Sequence, residues 1–366
     1  MQPFFEEAIQ TITPKVDCVI SDVFLGWTQQ SASKMGIPRL SFYCTSFYVM
    51  AVFRDVMENG LLHLHESGDE PFVLTSFPWI RARRNDLDHP LNKCDPTGPD
   101  FDFIIECSTA TTNSYGMLVN SELEKPFAEY WNRNCRPKTW CIGPLCLEEP
   151  SKPVPDSAPK PKWILWLDEK LAKGSPVLYV AFGSQVIIPA KQLQEIAIGL
   201  EKSKVSFLWV VRSAGDELIR VLQDRLQERG IIVSEWVDQQ EILGHEIVQG
   251  FLGHCGWNSV LEAICAAVPI LAWPMMAEQS TNAKMVVEEM KTGLRVCTDD
   301  GTSKGFVTND DLKTSVIELM EGEKGKALKE AAKGLAEAAR RATMDGGSSW
   351  HAVGKLIAEI QSQKSD

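Results

Sequence analysis

One stretch constrains this chain more than any other. Residues 249–252, Gln-Gly-Phe-Leu, form a short apolar run; Gly253-His254-Cys255-Gly256 form a turn; then apolar groups recur at Trp257, Leu261, Ile264, Cys265 and Val268. That pattern predicts a strand, a tight loop and a helix. In an open α/β sheet such a junction lies at the carboxyl end of a strand, where ligands bind, and the first helical amides have no partner within the helix. Aligned peptide dipoles add about half a positive charge there, which suits an anion. Asn258, Ser259 and their amides are therefore candidates to hold a diphosphate without a metal, with His254 as a further donor.

Each of these residues also has a plainer reading. Ser259-x-x-Glu262 fits a capping box that needs no ligand. Taken singly, His254 reads as a hydrogen-bonded histidine at a strand end, and Trp236 reads as core. No second Cys/His pair lies at ligand spacing from His254-Cys255, so a metal site is not expected.

Strands alternate with helices through this half of the chain. Strands are predicted at 177–182, 207–211 and 231–233 and a helix near 191–202, which implies a parallel sheet. Ahead of it Pro150, Pro153, Pro155, Pro159 and Pro161 punctuate a polar stretch that can continue neither a helix nor a central strand. This predicts a linker at 149–162 between domains at 1–148 and 163–345, with a closing helix in 346–366, near 349–360. Near the start, 16–20 reads as a buried strand ending at Ser21-Asp22, followed by a helix toward Met35-Gly36-Ile37-Pro38. Asp22 there is most simply a turn or helix cap. An amphipathic helix follows Met1 at once, with Phe4, Phe5, Ala8, Ile9 and Ile12 on one face.

Composition narrows the class. The 366 residues, 44% of them hydrophobic, are enough for two domains with sizeable cores. A net charge of -12 argues against nucleic acid, whose phosphates demand a basic face. The ten cysteines are scattered without disulfide-like spacing, which predicts reduced thiols and a cytoplasmic location. No apolar run is long enough to span a bilayer, and the tail at 361–366 is polar. The aromatics Phe42, Tyr43, Phe47, Tyr48 and Phe53 either fill the core or line an apolar pocket.

The joint pattern of Trp236, Gln239, His245, Gly250, Phe251, the run 254–259 (His-Cys-Gly-Trp-Asn-Ser), Glu262, Val268-Pro269, Trp273-Pro274 and Glu278-Gln279 resembles the C-terminal signature of plant UDP-sugar-dependent glycosyltransferases. The resemblance continues through the run 119–124, Ile142-Gly143-Pro144-Leu145 and Trp166-Leu167-Asp168, and so covers nearly all of the chain. It implies an α/β fold of the GT-B class, two facing Rossmann-like domains with parallel sheets, with the closing helix crossing back to the first domain. It also implies that Trp236 stacks on uracil, with the Val237 backbone and Gln239 near the base and ribose. Glu262 would accept from ribose hydroxyls. His254, Asn258 and Ser259, with the Gly256-Trp257 turn and Ser184 of Phe182-Gly183-Ser184, would hold the diphosphate. Glu278 and Gln279 would bind sugar hydroxyls, the glutamine pointing to glucose. Two positions depart from the family: Ala267 stands where glycine is usual, and Gly253 where Thr or Ser is common. Both are small, so mild packing effects are expected.

In that family Asp22 matches an aspartate that orients a general-base histidine, which removes a proton from the acceptor hydroxyl. The base belongs to a Gly-His-x-x-Pro-like turn, and none of His63, His65, His89, His245, His254 and His351 lies in such a setting. The chain accordingly reads as beginning partway into its first domain, with that domain incomplete. The implied activity is inverting transfer of glucose from UDP-glucose to a hydroxyl of a small apolar acceptor, flavonoid or phenolic in kind. No metal or other cofactor, no membrane and a monomeric state are expected. The alternative is a catalytically inert form that only binds UDP-sugar or a protein partner.

Overall fold

The computed structural model describes residues 1–147, 159–211, 223, 229–299 and 305–362. The chain divides into two units, Met1–Glu148 with Ala338–Asp366, and Glu149–Glu337.

In the first unit a parallel sheet takes the order β1 (Val19–Asp22), β2 (Arg39–Tyr43), β5 (Gly116–Val119), β6 (Lys138–Cys141). A small antiparallel pair, β3 (Pro71–Val73) and β4 (Arg81–Arg83), stands apart from it. Arg39 is buried at the start of β2. Its guanidinium donates to Ser21 Oγ (3.0 Å), Ser114 Oγ (2.8 Å) and the Asp22 carbonyl (3.1 Å), so each of its three nitrogens has an acceptor for the buried charge. Helix α1 (Gln2–Thr11) forms as the sequence predicts, but its inward face differs. Phe4 and Ala8 are exposed, whereas Phe5 meets Trp27 of α2 (Trp27–Lys34) edge-on, and Glu6 accepts from Ser31 at 2.7 Å and from Lys34 at 3.3 Å. A polar anchor thus shifts the helix away from its most apolar face.

Ser46 caps α3 (Phe47–Glu58) by accepting the Val49 amide, and Glu124, from the start of the next crossover, accepts the Tyr48 amide at 2.8 Å. Helices α4 (Pro99–Thr112) and α5 (Lys125–Asn134) each precede a strand, β5 and β6 respectively. Leu40, Leu118 and Trp140 pack with Leu356 and Ile360 of the C-terminal helix, Ser348–Ser362, whose Ser349 hydroxyl donates to the Gly143 carbonyl at 2.6 Å. Phe47 and Tyr48 are core, while Tyr43 and Phe53 border a cavity, so the aromatic run serves both purposes.

The second unit holds a six-stranded parallel sheet. Its order is β12 (Gly293–Arg295), β11 (Ile270–Ala272), β10 (Val248–Gly253), β7 (Val177–Ala181), β8 (Ser206–Val210), β9 (Gly230–Val233). Numbered within the unit this is the doubly wound order 3-2-1-4-5-6, with winding reversed between β7 and β10. Every residue of β7 is buried, as a central parallel strand covered on both faces requires. Leu178, Val180, Phe207, Trp209, Leu252 and Leu271 share one core cluster, and burying each such side chain stabilises the fold by roughly 1.5–3 kcal/mol.

Of the proline-rich stretch, Pro150, Pro153 and Pro155 lie outside the described residues; Pro161 precedes α6 (Lys162–Ala172). Helix α7 (Ala190–Ser203) links β7 to β8. The second unit closes at Glu337 rather than 345, and the division falls inside a helix, Glu323–Thr343. Among the described residues no helix is long and apolar enough to cross a membrane. All ten cysteines are free thiols.

Candidate functional site

The winding reversal between β7 and β10 leaves a crevice at their carboxyl ends, because the two crossovers depart in opposite directions. Two turns sit there. Strand β7 runs into Phe182-Gly183-Ser184, where Gly183 has φ +79°, a conformation that glycine adopts freely. Strand β10 runs through His254-Cys255-Gly256 into α9 (Trp257–Cys265).

His254 joins the two turns. A Cβ built on Gly183 would fall 2.9 Å from its Nε2 and one on Gly256 2.6 Å, so the imidazole fits only because both neighbours lack a side chain. Burial lowers the His254 pKa, against a weaker raising influence of the Ala181 carbonyl, and its Nδ1 has no hydrogen-bond partner. The ring is therefore held neutral, with one nitrogen able to donate.

The N-cap of α9 is Gly256, with no side chain to cap the helix. This removes the capping-box reading, since Ser259 stands three residues inside the helix and cannot be its cap. The Trp257, Asn258 and Ser259 amides thus occupy the first turn, where peptide donors lack intrahelical acceptors. The Trp257 side chain is buried in the core with its indole N–H unpartnered, so only its backbone can serve a ligand here. Asn258 is exposed and Ser184 is exposed.

Behind the turn a polar network forms. Gln239, the first residue of α8 (Gln239–Leu243), donates to Ser259 Oγ (3.0 Å) and Glu262 Oε2 (2.5 Å), and its carbonyl accepts the Tyr179 hydroxyl (3.2 Å). Three residues named from sequence thus meet, together with a tyrosine that sequence reasoning missed. Tyr179 sits in an apolar strand, and its hydroxyl was the available signal.

Trp236 follows β9 at the same carboxyl edge and is 71% exposed. The core reading of this indole is excluded. Val237 beside it is buried, and Asp238 caps α8 through the Gln240 and Glu241 amides.

The last pair lies at α10 (Gln279–Lys284). Gln279 is buried, and its carbonyl oxygen accepts the Met275 (3.0 Å) and Met276 (2.9 Å) amides, so that atom is committed to the loop. Glu278 is half-buried and accepts from Asn282, which also donates to the Cys255 carbonyl at 3.0 Å. Asn282, fully buried and not foreseen, thereby ties this helix to the His254 turn.

Both departures from the family pattern act otherwise than expected. Ala267 has φ +59° and occupies the left-handed position of a Schellman ending of α9, with Ala267 N–H to Ile264 and Val268 N–H to Ala263. Its cost is conformational, not one of packing. At Gly253 the Phe251 ring fills the space that a Cβ would take, at 2.5 Å.

Asp22 ends β1 in the first unit. Its carboxylate accepts the Phe24 amide at 2.8 Å, an Asx-type turn. Among the described residues no histidine is bonded to it: His245 pairs with Asp168, His89 with Asp100 and His65 with Glu70.

Comparison with known proteins gives a family. Residues 165–332 match the family model described as UDP-glucoronosyl and UDP-glucosyl transferase. UDP-glycosyltransferase 90A1 of Arabidopsis thaliana is 49% identical over 367 residues, covering 98% of this chain and 76% of that protein. The crystal structure of Glycyrrhiza uralensis UGT73P12 complexed with glycyrrhetinic acid 3-O-monoglucuronide superposes with a TM-score of 0.88 at 28% identity, covering 99% of this chain and 76% of the other. Phytolacca americana UGT2 complexed with UDP-2fluoro-glucose and pterostilbene gives 0.82 at 27% identity, covering 98% and 79%. Two Rossmann-like α/β units, a site at the sheet reversal and these relatives lead to one statement: the chain belongs to the plant-type UDP-glycosyltransferase family and has the GT-B fold.

Proposed function

We propose that the chain transfers glucose from UDP-glucose to a hydroxyl of a small apolar, phenolic acceptor, with inversion at the anomeric carbon. The observation that carries this reading is the uncapped start of α9 beside the Gly183 turn, with a neutral His254 across both. Fixed amide donors and one imidazole N–H suit the charge that grows on UDP as the glycosidic bond breaks, and one such donor is worth about 3 kcal/mol in a dry cleft. The exposed Trp236 indole suits stacking on uracil, with Gln239 and Glu262 near the ribose. Ser184, Asn258 and Ser259 serve the diphosphate, and Glu278 with the amide group of Gln279 serves the sugar hydroxyls. The bound UDP-2fluoro-glucose and pterostilbene of the Phytolacca protein support the donor and acceptor classes.

No metal enters this reading, because the helix start and His254 supply the positive character that a cation would otherwise bring. Asp22 is assigned to orienting the base that takes the acceptor proton. A phenol, with pKa about 10, needs less base assistance than an alcohol.

A second reading, donor binding without transfer, is favoured by one observation: Asp22 holds the Phe24 amide and no histidine. The two separate in one assay, in which UDP release from UDP-glucose is followed across a panel of phenols alongside the thermal shift caused by UDP. Acceptor-dependent release supports transfer. A thermal shift with no release supports binding alone, and neither signal would remove both readings.

A further inference from the structure

The first unit contains a cavity of about 530 Å³, whose lining includes neither Asp22 nor any residue proposed for the donor. This is within the size range of small-molecule sites. Its walls come mainly from α3, α4 and α5, with Tyr43 from the end of β2, and the residues at 133–136 lead directly into the amino end of β6. Asp22, at the carboxyl end of β1, is not among the lining residues.

Two kinds of chemistry line this space. Phe53, Met57, Ile105 and Trp131 provide apolar and aromatic walls. Arg54, Arg133 and Arg136 provide three cations, of which Arg54 is paired with Glu58 and Arg133 with Glu129 at 3.2 Å, in a chain whose net charge is -12. Arg54 is fixed in place: its guanidinium lies 4.7 Å over the Trp131 ring and one Nη is paired with Glu58 at 2.7 Å. Its Nε is buried and has no hydrogen-bond partner among the described residues. A buried, unmatched donor on a cation is costly unless something accepts from it.

We propose that this cavity binds a small aromatic carboxylate, with the ring between Phe53, Met57 and Trp131 and the carboxylate on Arg54 Nε and the neighbouring arginines. A planar guanidinium stacked on an indole suits such an anion, because it presents directed N–H donors beside an aromatic surface. A neutral ring would lose the charge-assisted bond, and an anion without a ring would lose the walls.

The test titrates the full chain calorimetrically with 2-naphthoate and, separately, with its methyl ester. One-to-one binding of the acid, with the ester at least about tenfold weaker, is expected. Arg54→Met should weaken the acid by a similar factor, and Ser108→Trp, which fills the cavity while keeping every arginine, should abolish binding. The UDP-induced thermal shift should stay unchanged in both variants, which separates this site from the donor site, and an unchanged circular dichroism spectrum with a cooperative thermal transition reports that each variant is folded. Equal binding of acid and ester, no binding of either, or acid binding that survives Ser108→Trp in a folded variant would overturn the proposal. Because the acid and ester are compared on the unaltered chain, the proposal can fail even if a variant does not fold.

Discussion

At the scale of single residues, the crevice depends on side chains that are small or absent. His254 sits where it does because Gly183 and Gly256 leave it room. Replacing it should therefore remove one donor without disturbing the core. His254→Ala is expected to lower turnover by about 10²-fold or more at saturating donor, as loss of one such donor does elsewhere; unchanged turnover in a kcat measurement would sink its leaving-group role. The turn residues were legible in the sequence because they are contiguous, and glycine, histidine and a helix start have recognisable spacing. The bonds from Gln239 to Ser259 and Glu262 were not. They join separate elements, and nothing local in the sequence sets which polar groups will face one another. The exposure of Trp236 was hidden for the same reason, since an aromatic after a strand reads as core until its neighbours are known.

At the scale of elements, two caps carry measurable consequences. Ala267 holds a left-handed conformation at the end of α9. Glycine would adopt it without the Cβ clash, so Ala267→Gly should stabilise the unit by ~0.5–1 kcal/mol, read as a rise in denaturant midpoint at constant slope. Glu124, which precedes α5 and accepts the Tyr48 amide at the start of α3, behaves differently. Burial pushes its carboxyl up to about 8, against the opposing hydrogen bonds of the Tyr48 amide, the Ser121 hydroxyl and the Phe47 amide. The folded chain then keeps a proton that the unfolded chain loses near its ordinary pKa of 4.5. Stability contributed by the protonated form is complete below that value and falls as pH rises toward about 8. Thermal midpoints measured across this window should decline, and Glu124→Gln, which cannot ionise, should flatten the decline. An unaltered slope in the variant would assign the pH dependence to another group.

Element positions themselves were readable from apolar periodicity: the strand expected at 177–182 spans Val177–Ala181, and the helix near 191–202 spans Ala190–Ser203. The inward face of α1 was misjudged because Glu6, bonded to Ser31 and Lys34, overrides the apolar stripe. Two sequence motifs also proved to be braces. The Asn120 carboxamide accepts the Leu145 amide at 2.7 Å, and Asp168 holds His245 and Lys160.

At the scale of the molecule, the relatives define the chemistry and the sheet order defines where it can happen. Alternating strands and helices foretold a parallel sheet, but the order 3-2-1-4-5-6 could not be read locally, because strand neighbours are chosen by the packing of whole crossovers. If backbone amides and one imidazole neutralise the departing diphosphate, prolonged dialysis against EDTA should leave initial rates of UDP release unchanged. A loss restored by a divalent cation would require a metal that the proposed site does not call for.

Strands β7 and β10 are sequentially distant yet paired in register at the middle of the second sheet, Val180 beside Leu252 and Ala181 beside Gly253. The two loops that embrace His254 are therefore neighbours only once this non-local pairing exists, and a partly assembled unit offers nucleotide nothing to grip. Occupancy by UDP should thus slow deuterium uptake along the central strands themselves, well beneath the ligand. Protection restricted to the rim would mean that the nucleotide can be held before the centre has closed.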